Sequence, residues 1–220
     1  DRIVDNALWQ AEQPRLLQLL QRWLAFEYAD RAEWNGFTPA AVEWDFSSQN
    51  GKPYEMQLTS GKSVRLAGRI DRIDSDGESI FITDYKRSHA PAGADVQKGL
   101  DLQLPVYLLA AAAMYAGGKK AAGGCYFVLK DSARSSIQLF GSCGNAALEK
   151  QYKNSRIEKL PWGSFKEFCE NIIRNYIESI YAGAFPVNPK KCDAYCQLSG
   201  ICRKQELNLV AQEEGSGSDE

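Results

Sequence analysis

The chain has 220 residues, 44% of them hydrophobic and 11% aromatic, which is enough for one large domain or two small ones with a substantial core. No run of about 18 apolar residues occurs, so no membrane span is expected; no signal peptide is visible, and six cysteines in a chain of this size do not read as a secreted disulfide scaffold. The formal net charge of −2 does not announce a polyanion partner, but the charges are unevenly spread: residues 119–174 carry ten Lys/Arg against five Asp/Glu, and residues 1–55 carry nine acids against five bases.

In chain order, the first residues, "DRIVDNALWQ", lack a starting Met and read as the beginning of a fragment cut from a longer chain. "QPRLLQLLQRWLAFEYADR" places Leu16, Leu20, Trp23 and Leu24 at helical spacing and predicts an amphipathic helix that stops near "WNGFTP". "AAVEWDFS" alternates and predicts a strand with Val42, Trp44 and Phe46 on one face and Glu43 and Asp45 on the other. The stretch 54–74 predicts a hairpin turning at Ser60-Gly61, and "SIFITDYKRS" the next strand. Residues 94–116 predict a helix that Pro105 either kinks or starts. "AAGGCYFVLK" and "SSIQLF" predict two more strands, and 145–160 and 162–183 two more helices. The remainder is proline-punctuated up to residue 205, and an acidic tail, 206–220, has the composition of a flexible segment. This order predicts an α/β layer architecture, with helices flanking a central sheet.

Ionised groups buried without partners cost several kcal/mol each, in order of magnitude. Asp71 in "GRIDRID" and Asp84 and Lys86 in "TDYK" therefore either face solvent as an ion-paired hairpin or surround something divalent and anionic. Two carboxylates on neighbouring antiparallel strands suit a hard cation such as Mg²⁺. With the turn placed at Asp76-Gly77, a bulge or register offset is needed to bring them together. Lys86 lies two residues beyond Asp84 and so shares its face, where it can orient water or stabilise developing charge. Glu43 projects from the preceding strand as a further ligand or water-binder.

These stretches together resemble the PD-(D/E)XK nuclease superfamily, in its RecB-like exonuclease branch. The matching residues are "GRIDRID" (Gly68 to Asp74), "DYK" (Asp84 to Lys86) and "QLPVY" (Gln103 to Tyr107), in the family's order, within a resemblance spanning about residues 40–205. It implies a restriction-endonuclease-like core with a mixed central sheet, and a nuclease domain over 1–205 followed by the tail. It implies that Asp71 and Asp84 bind Mg²⁺ or Mn²⁺, that Lys86 positions the nucleophilic water, and that Gln103 and Tyr107, four apart on one helix face, point at the active site. Glu43 matches the acidic position that precedes the Gly-x-x-Asp strand. Family members often carry a histidine in an N-terminal helix that joins the metal shell. The one histidine here, His89, follows "DYKRS" and cannot occupy that helix, so the helix lies upstream of Asp1 or the protein does without it.

The cluster Cys192, Cys196 and Cys202 suits thiolate ligation of a soft metal or an iron–sulfur centre. After "FPVNP" it resembles the C-terminal 4Fe–4S staple of RecB-like nucleases of the AddB type, whose fourth cysteine lies before the nuclease core; residues 1–124 contain no cysteine. The implied function is metal-dependent, exonuclease-like DNA hydrolysis in repair and recombination, in the cytoplasm, with a helicase subunit or fused helicase-like domain as partner. Two other readings stand beside it. One is a catalytically idle nuclease-fold module that binds DNA or scaffolds a helicase; decayed modules of that kind usually lose the carboxylates and lysine present here. The other is an iron–sulfur or metal-sensing module, which leaves "GRID", "DYK" and "QLPVY" unexplained.

Overall fold

The computed structural model describes residues 7–31, 36–47, 52–117, 119–139, 161–184, 197 and 200–202. The chain opens with helix α1 (Ala7–Arg31), strand β1 (Thr38–Asp45), a short hairpin of β2 (Tyr54–Gln57) and β3 (Ser63–Leu66), and a longer hairpin of β4 (Arg69–Ser75) and β5 (Ser79–Lys86). Helices α2 (Gly93–Gln97) and α3 (Gln103–Ala110) follow, the latter continuing as a π-helical turn over Ala111–Tyr115; then come β6 (Lys120–Val128), β7 (Ala133–Leu139) and α4 (Trp162–Tyr181). The chain divides into two units, Asp1–Arg174 and Asn175–Glu220. The first holds the sheet and every site residue described below. Among its described residues the second holds the last turns of α4 and the exposed Cys202. The predicted helix over 145–160, most of the cysteine-bearing segment and the tail lie outside the described residues. No described helix is long and apolar enough to cross a membrane.

The main sheet has the order β1-β4-β5-β6-β7, and β2-β3 form a separate two-stranded sheet turning at Ser60-Gly61. β1, β4 and β5 run antiparallel in sequence, β5 and β6 are parallel, and β7 returns antiparallel to β6. A parallel pair needs a crossover, and α2 and α3 supply it. The fold is thus α/β with a mixed central sheet flanked by helices. The central strands are covered on both faces, so Ser79–Asp84 of β5 and Ala121–Val128 of β6 are buried without interruption.

Three sequence expectations are corrected. Residues 94–116 are two helices, because the chain breaks at Gly99, whose φ is +69° and whose added Cβ would lie 2.4 Å from Ile172 Cδ1 of α4. Left-handed backbone and close approach both exclude a side chain there. Pro105 then falls in the first turn of α3, where backbone N–H groups have no intrahelical acceptor to lose. In β1, Glu43 has φ +49° and interrupts the alternation, so Val42 is 67% exposed while Phe46 is buried. On α1, which starts at Ala7 rather than Gln13, Leu20 and Leu24 are about half exposed, at 48% and 46%. Of the expected face Trp23 does meet the sheet, against Tyr85 with centroids 6.1 Å apart, and it is joined by Phe26 against Phe127 at 5.1 Å.

α3 seats on β6 over Gly124. A Cβ at that position would lie 3.0 Å from Leu104 Cδ1 and 3.1 Å from the Ile82 carbonyl oxygen. Gly124→Val is expected to destabilise the fold by about 1–3 kcal/mol through overpacking. Urea unfolding checks this; an unshifted midpoint at constant slope would show that α3 does not depend on that approach.

Candidate active site

β4 and β5 pair with Arg72 opposite Thr83 and Ile73 opposite Ile82. One step further along this register, Asp71 stands opposite Asp84, on the same sheet face as Ile73 and Ile82. No bulge is needed. The turn centres one residue later than the sequence suggested, because Asp76 Oδ1 accepts the backbone N–H groups of Glu78 (3.0 Å) and Ser79 (2.7 Å). The ladder itself ends at Arg72–Thr83. Beyond it, Asp71 Oδ2 accepts the Tyr85 N–H at 2.8 Å, so a side chain takes the place of a backbone acceptor.

α3 lies over this face and brings Gln103 onto the strand pair. The Gln103 amide donates to Asp84 Oδ1 at 2.9 Å and to the Tyr107 hydroxyl at 3.1 Å, while its carbonyl oxygen accepts from Lys86 Nζ at 2.6 Å. Gln103 thereby fixes a carboxylate and an ammonium at once, and its four-residue spacing to Tyr107 is what a single helix face provides. Leu104, beside Gln103, packs on the same sheet face over Gly124, and Leu104 and Leu108 are fully buried. Tyr107 is held edge-on by Phe46, with centroids 5.9 Å apart.

Lys86 Nζ also sits 2.7 Å from Asp84 Oδ2, and 5.1 Å from the centroid of the Tyr126 ring. The contact with Oδ2 is an ion pair rather than an aligned hydrogen bond, which leaves that buried oxygen without a hydrogen-bond donor among the described residues. Burial pushes the Asp84 carboxyl above its ordinary range; Lys86 opposes this, and the nearby charges of Asp71 and Asp101 reinforce it. Asp84 is therefore a buried carboxylate held by Lys86 and Gln103, with Asp71 and Asp101 adding negative charge nearby.

Asp84, Lys86, Gln103 and Tyr107 form one bonded cluster, with Asp71 beside it across the strand pair. Glu43 stands outside the cluster: it lies on the edge strand level with Asp71, but its exposed carboxylate pairs with Arg69 at 3.6 Å. His89 is exposed and contacts Ser88 Oγ at 2.9 Å. The sequence reading missed Tyr126, whose hydroxyl donates to Asp101 and accepts the Leu104 N–H at 3.2 Å, tying the loop before α3 to β6. Burial first, and the Asp101 carboxylate second, push the Tyr126 phenol well up, so it stays a neutral donor. Its signal was a hydroxyl inside the apolar run "CYFV", which must find a partner when buried.

Among the described residues, no group of three or more His, Cys, Asp or Glu is placed to hold a metal ion. Two opposed carboxylates suit instead a hard cation that keeps several waters, and Asp71 and Asp84 are the residues that fit it. Cys192 and Cys196 lie outside the described residues, and the buried Cys125 and Cys169 belong to the core.

A family model described as PD-(D/E)XK nuclease superfamily matches residues 1–203. Over 103 residues the chain is 39% identical to the B subunit of the ATP-dependent helicase/deoxyribonuclease of Acetivibrio thermocellus, which is 43% of this chain and 9% of that protein. The same-named protein of Clostridium tetani is 43% identical over 79 residues, 33% of this chain and 7% of its own length. That of Bacillus cereus is 26% identical over 196 residues, covering 82% of this chain. The chain spans only 7% to 16% of the length of these relatives.

Proposed function

This chain belongs to the PD-(D/E)XK nuclease superfamily, and from that footing we propose that it is a divalent-metal-dependent deoxyribonuclease domain of the RecB-like, exonuclease type, working in DNA repair and recombination beside a helicase. The observation that carries the reading is the opposition of Asp71 and Asp84 with Lys86 and Gln103 bonded to the same carboxylate. Asp71 and Asp84 would hold Mg²⁺ or Mn²⁺, which when bound polarises a phosphodiester and acidifies water. Lys86 orients the attacking water and offsets negative charge growing on the phosphoryl oxygens. Gln103 keeps Lys86 and Asp84 in register, and the Tyr107 hydroxyl extends the polar edge on which a substrate strand rests. The helicase partnership is carried by the relatives' names. The iron–sulfur reading of Cys192, Cys196 and Cys202 rests on their clustering and on the resemblance of that segment to the AddB-type staple.

Degradation of end-labelled single- and double-stranded DNA with Mg²⁺, Mn²⁺ or EDTA tests the proposal, alongside Asp84→Asn. Cleavage is expected with metal only and is expected to vanish in the variant. Stability should move the other way. The folded Asp84 carboxyl holds its proton above the ordinary value of 3.8, where the unfolded chain has released it. Stability from this group is therefore present at low pH and is lost as pH rises through the folded pKa. The asparagine removes the charge, so the metal-free variant should melt at a higher temperature than the parent at neutral pH. Cleavage in EDTA, or by a well-folded Asp84→Asn protein, would overturn the assignment.

A further inference from the structure

Away from the Asp84 cluster, a cleft of about 290 Å³ opens between α1 and the chain leaving β5 and β6. Arg15 and Arg22 line it from α1, and Arg87 and Lys130 from the sheet edge, with Glu12 the one carboxylate among its described lining residues. Four cations against one anion gather here in a chain whose net charge is −2. Backbone bonds from Leu129 N–H to the Lys86 carbonyl (2.9 Å) and from Lys130 N–H to the Arg87 carbonyl (3.1 Å) hold the two strand exits together, so Arg87 and Lys130 are presented side by side. Arg87 follows Lys86 directly, and the cleft therefore adjoins the C-terminal edge of β5 from which the candidate site is built. In open sheets that contain parallel strands, ligands bind at this edge.

The cations are available. Glu12 is shared between Arg15 at 3.5 Å and Arg87 at 3.4 Å, and the two arginine side chains are 80% and 85% exposed. Pairs this exposed contribute little and are readily exchanged for a phosphate. Arg22 and Lys130 form no ion pair with a described residue. No aromatic ring is among the described lining residues, which present charge rather than a stacking platform. We infer that this cleft carries the phosphate backbone of a single nucleic-acid strand to or from the site, with Arg15, Arg22, Arg87 and Lys130 as its phosphate contacts. The inference rests on the nuclease reading for its direction, but its binding chemistry stands separately. Two walls, that volume and four cations fit one backbone, bound without sequence preference and with strong salt dependence.

The test is fluorescence anisotropy with a labelled oligothymidylate of about 20 nucleotides, in EDTA, over roughly 50 to 200 mM salt. The combined Arg22→Ala, Arg87→Ala and Lys130→Ala protein is compared with the parent and with Arg65→Ala, an exposed position on β3. Removing three phosphate contacts should weaken binding at low salt by about tenfold or more and flatten the log–log salt slope by about 2. Arg65→Ala should match the parent. Hydrolysis of bis(p-nitrophenyl) phosphate, too small to reach the cleft, should be unchanged by the triple substitution. Unaltered affinity and slope, or no binding by the parent, would overturn the inference. So would an equal loss of small-substrate hydrolysis, which would place the damage in the site itself. A parent that binds DNA through these residues but hydrolyses nothing would sink the nuclease reading and leave the cleft standing.

Discussion

Lys86→Ala is expected to fold like the parent and to hydrolyse DNA at least about a hundredfold more slowly, the scale of losing one preorganised electrostatic group. The Lys86 side chain is 25% exposed but that of Asp84 only 3%, so the variant leaves a buried carboxylate without its counter-charge, and its thermal midpoint should fall at neutral pH and recover as pH is lowered. Its loss is felt where Nζ bridges Asp84 Oδ2 at 2.7 Å and the Gln103 carbonyl at 2.6 Å. Because the interaction is spent on developing charge, kcat should fall far more than KM changes. A second readout separates this from simple damage. Lys86 lowers the Asp84 pKa, so without it the carboxyl ionises later, and the residual activity should rise with pH over a range displaced upward from the parent's. Lys86→Arg should not restore the rate, since a planar fork cannot replace a compact ammonium between two acceptors. Near-normal cleavage by a folded Lys86→Ala protein would remove Lys86 from the chemistry.

The repeated tripeptide at 69–74, "RIDRID", shows what could be read from the sequence and what could not. A three-residue repeat on a strand of period two sends its two aspartates to opposite faces. Asp71 was singled out because it fits the Gly-x-x-Asp strand of the family that "GRIDRID", "DYK" and "QLPVY" resemble, whereas spacing alone left a bulge or register offset to be supplied. The buried pair of Arg72 with Asp74 was not legible, since Arg72's second partner, Glu27, lies 45 residues away and depends on how α1 is rotated over the sheet. The leucine run of α1 suggested one rotation. The buried guanidinium demands another, in which Glu27 with its neighbours Trp23 and Phe26 faces the strands. Glu43 failed to follow alternation because of a positive φ that no local pattern announces in a glutamate. The layer order and the sheet-covering helix survive such errors, because they rest on many apolar positions rather than one.

Arg72→Met is expected to cost about 3–5 kcal/mol of stability, the range for breaking a buried ion pair from one side. Arg72 Nε and Nη2 donate to Asp74 Oδ1 at 2.9 and 2.8 Å, and Nη1 donates to Glu27 Oε2 at 2.8 Å and to the Tyr85 hydroxyl at 3.0 Å. The side chains of Arg72, Asp74 and Glu27 are only 9%, 2% and 8% exposed. Burial alone would push the guanidinium toward neutrality, and the two carboxylates more than offset it. Burial also raises the Asp74 pKa, with Arg72 pulling it back down. Without Arg72, the Asp74 and Glu27 carboxylates remain in the core without the group that bonds both of them, and only the more distant charge of Arg134 acts on Asp74. In the variant Asp74, whose pKa burial already raises and Arg72 no longer lowers, would bind a proton more readily folded than unfolded, so stability should recover as pH falls below neutral and the gap to the parent should narrow. Replacing the set together, as Glu27→Leu, Arg72→Met and Asp74→Leu, should return most of the loss, because no charge is then left unpaired. Urea unfolding of the three proteins across pH separates these contributions. A single-variant loss below about 1 kcal/mol, or a triple variant weaker than the single, would mean that the network is not what anchors α1 to the sheet.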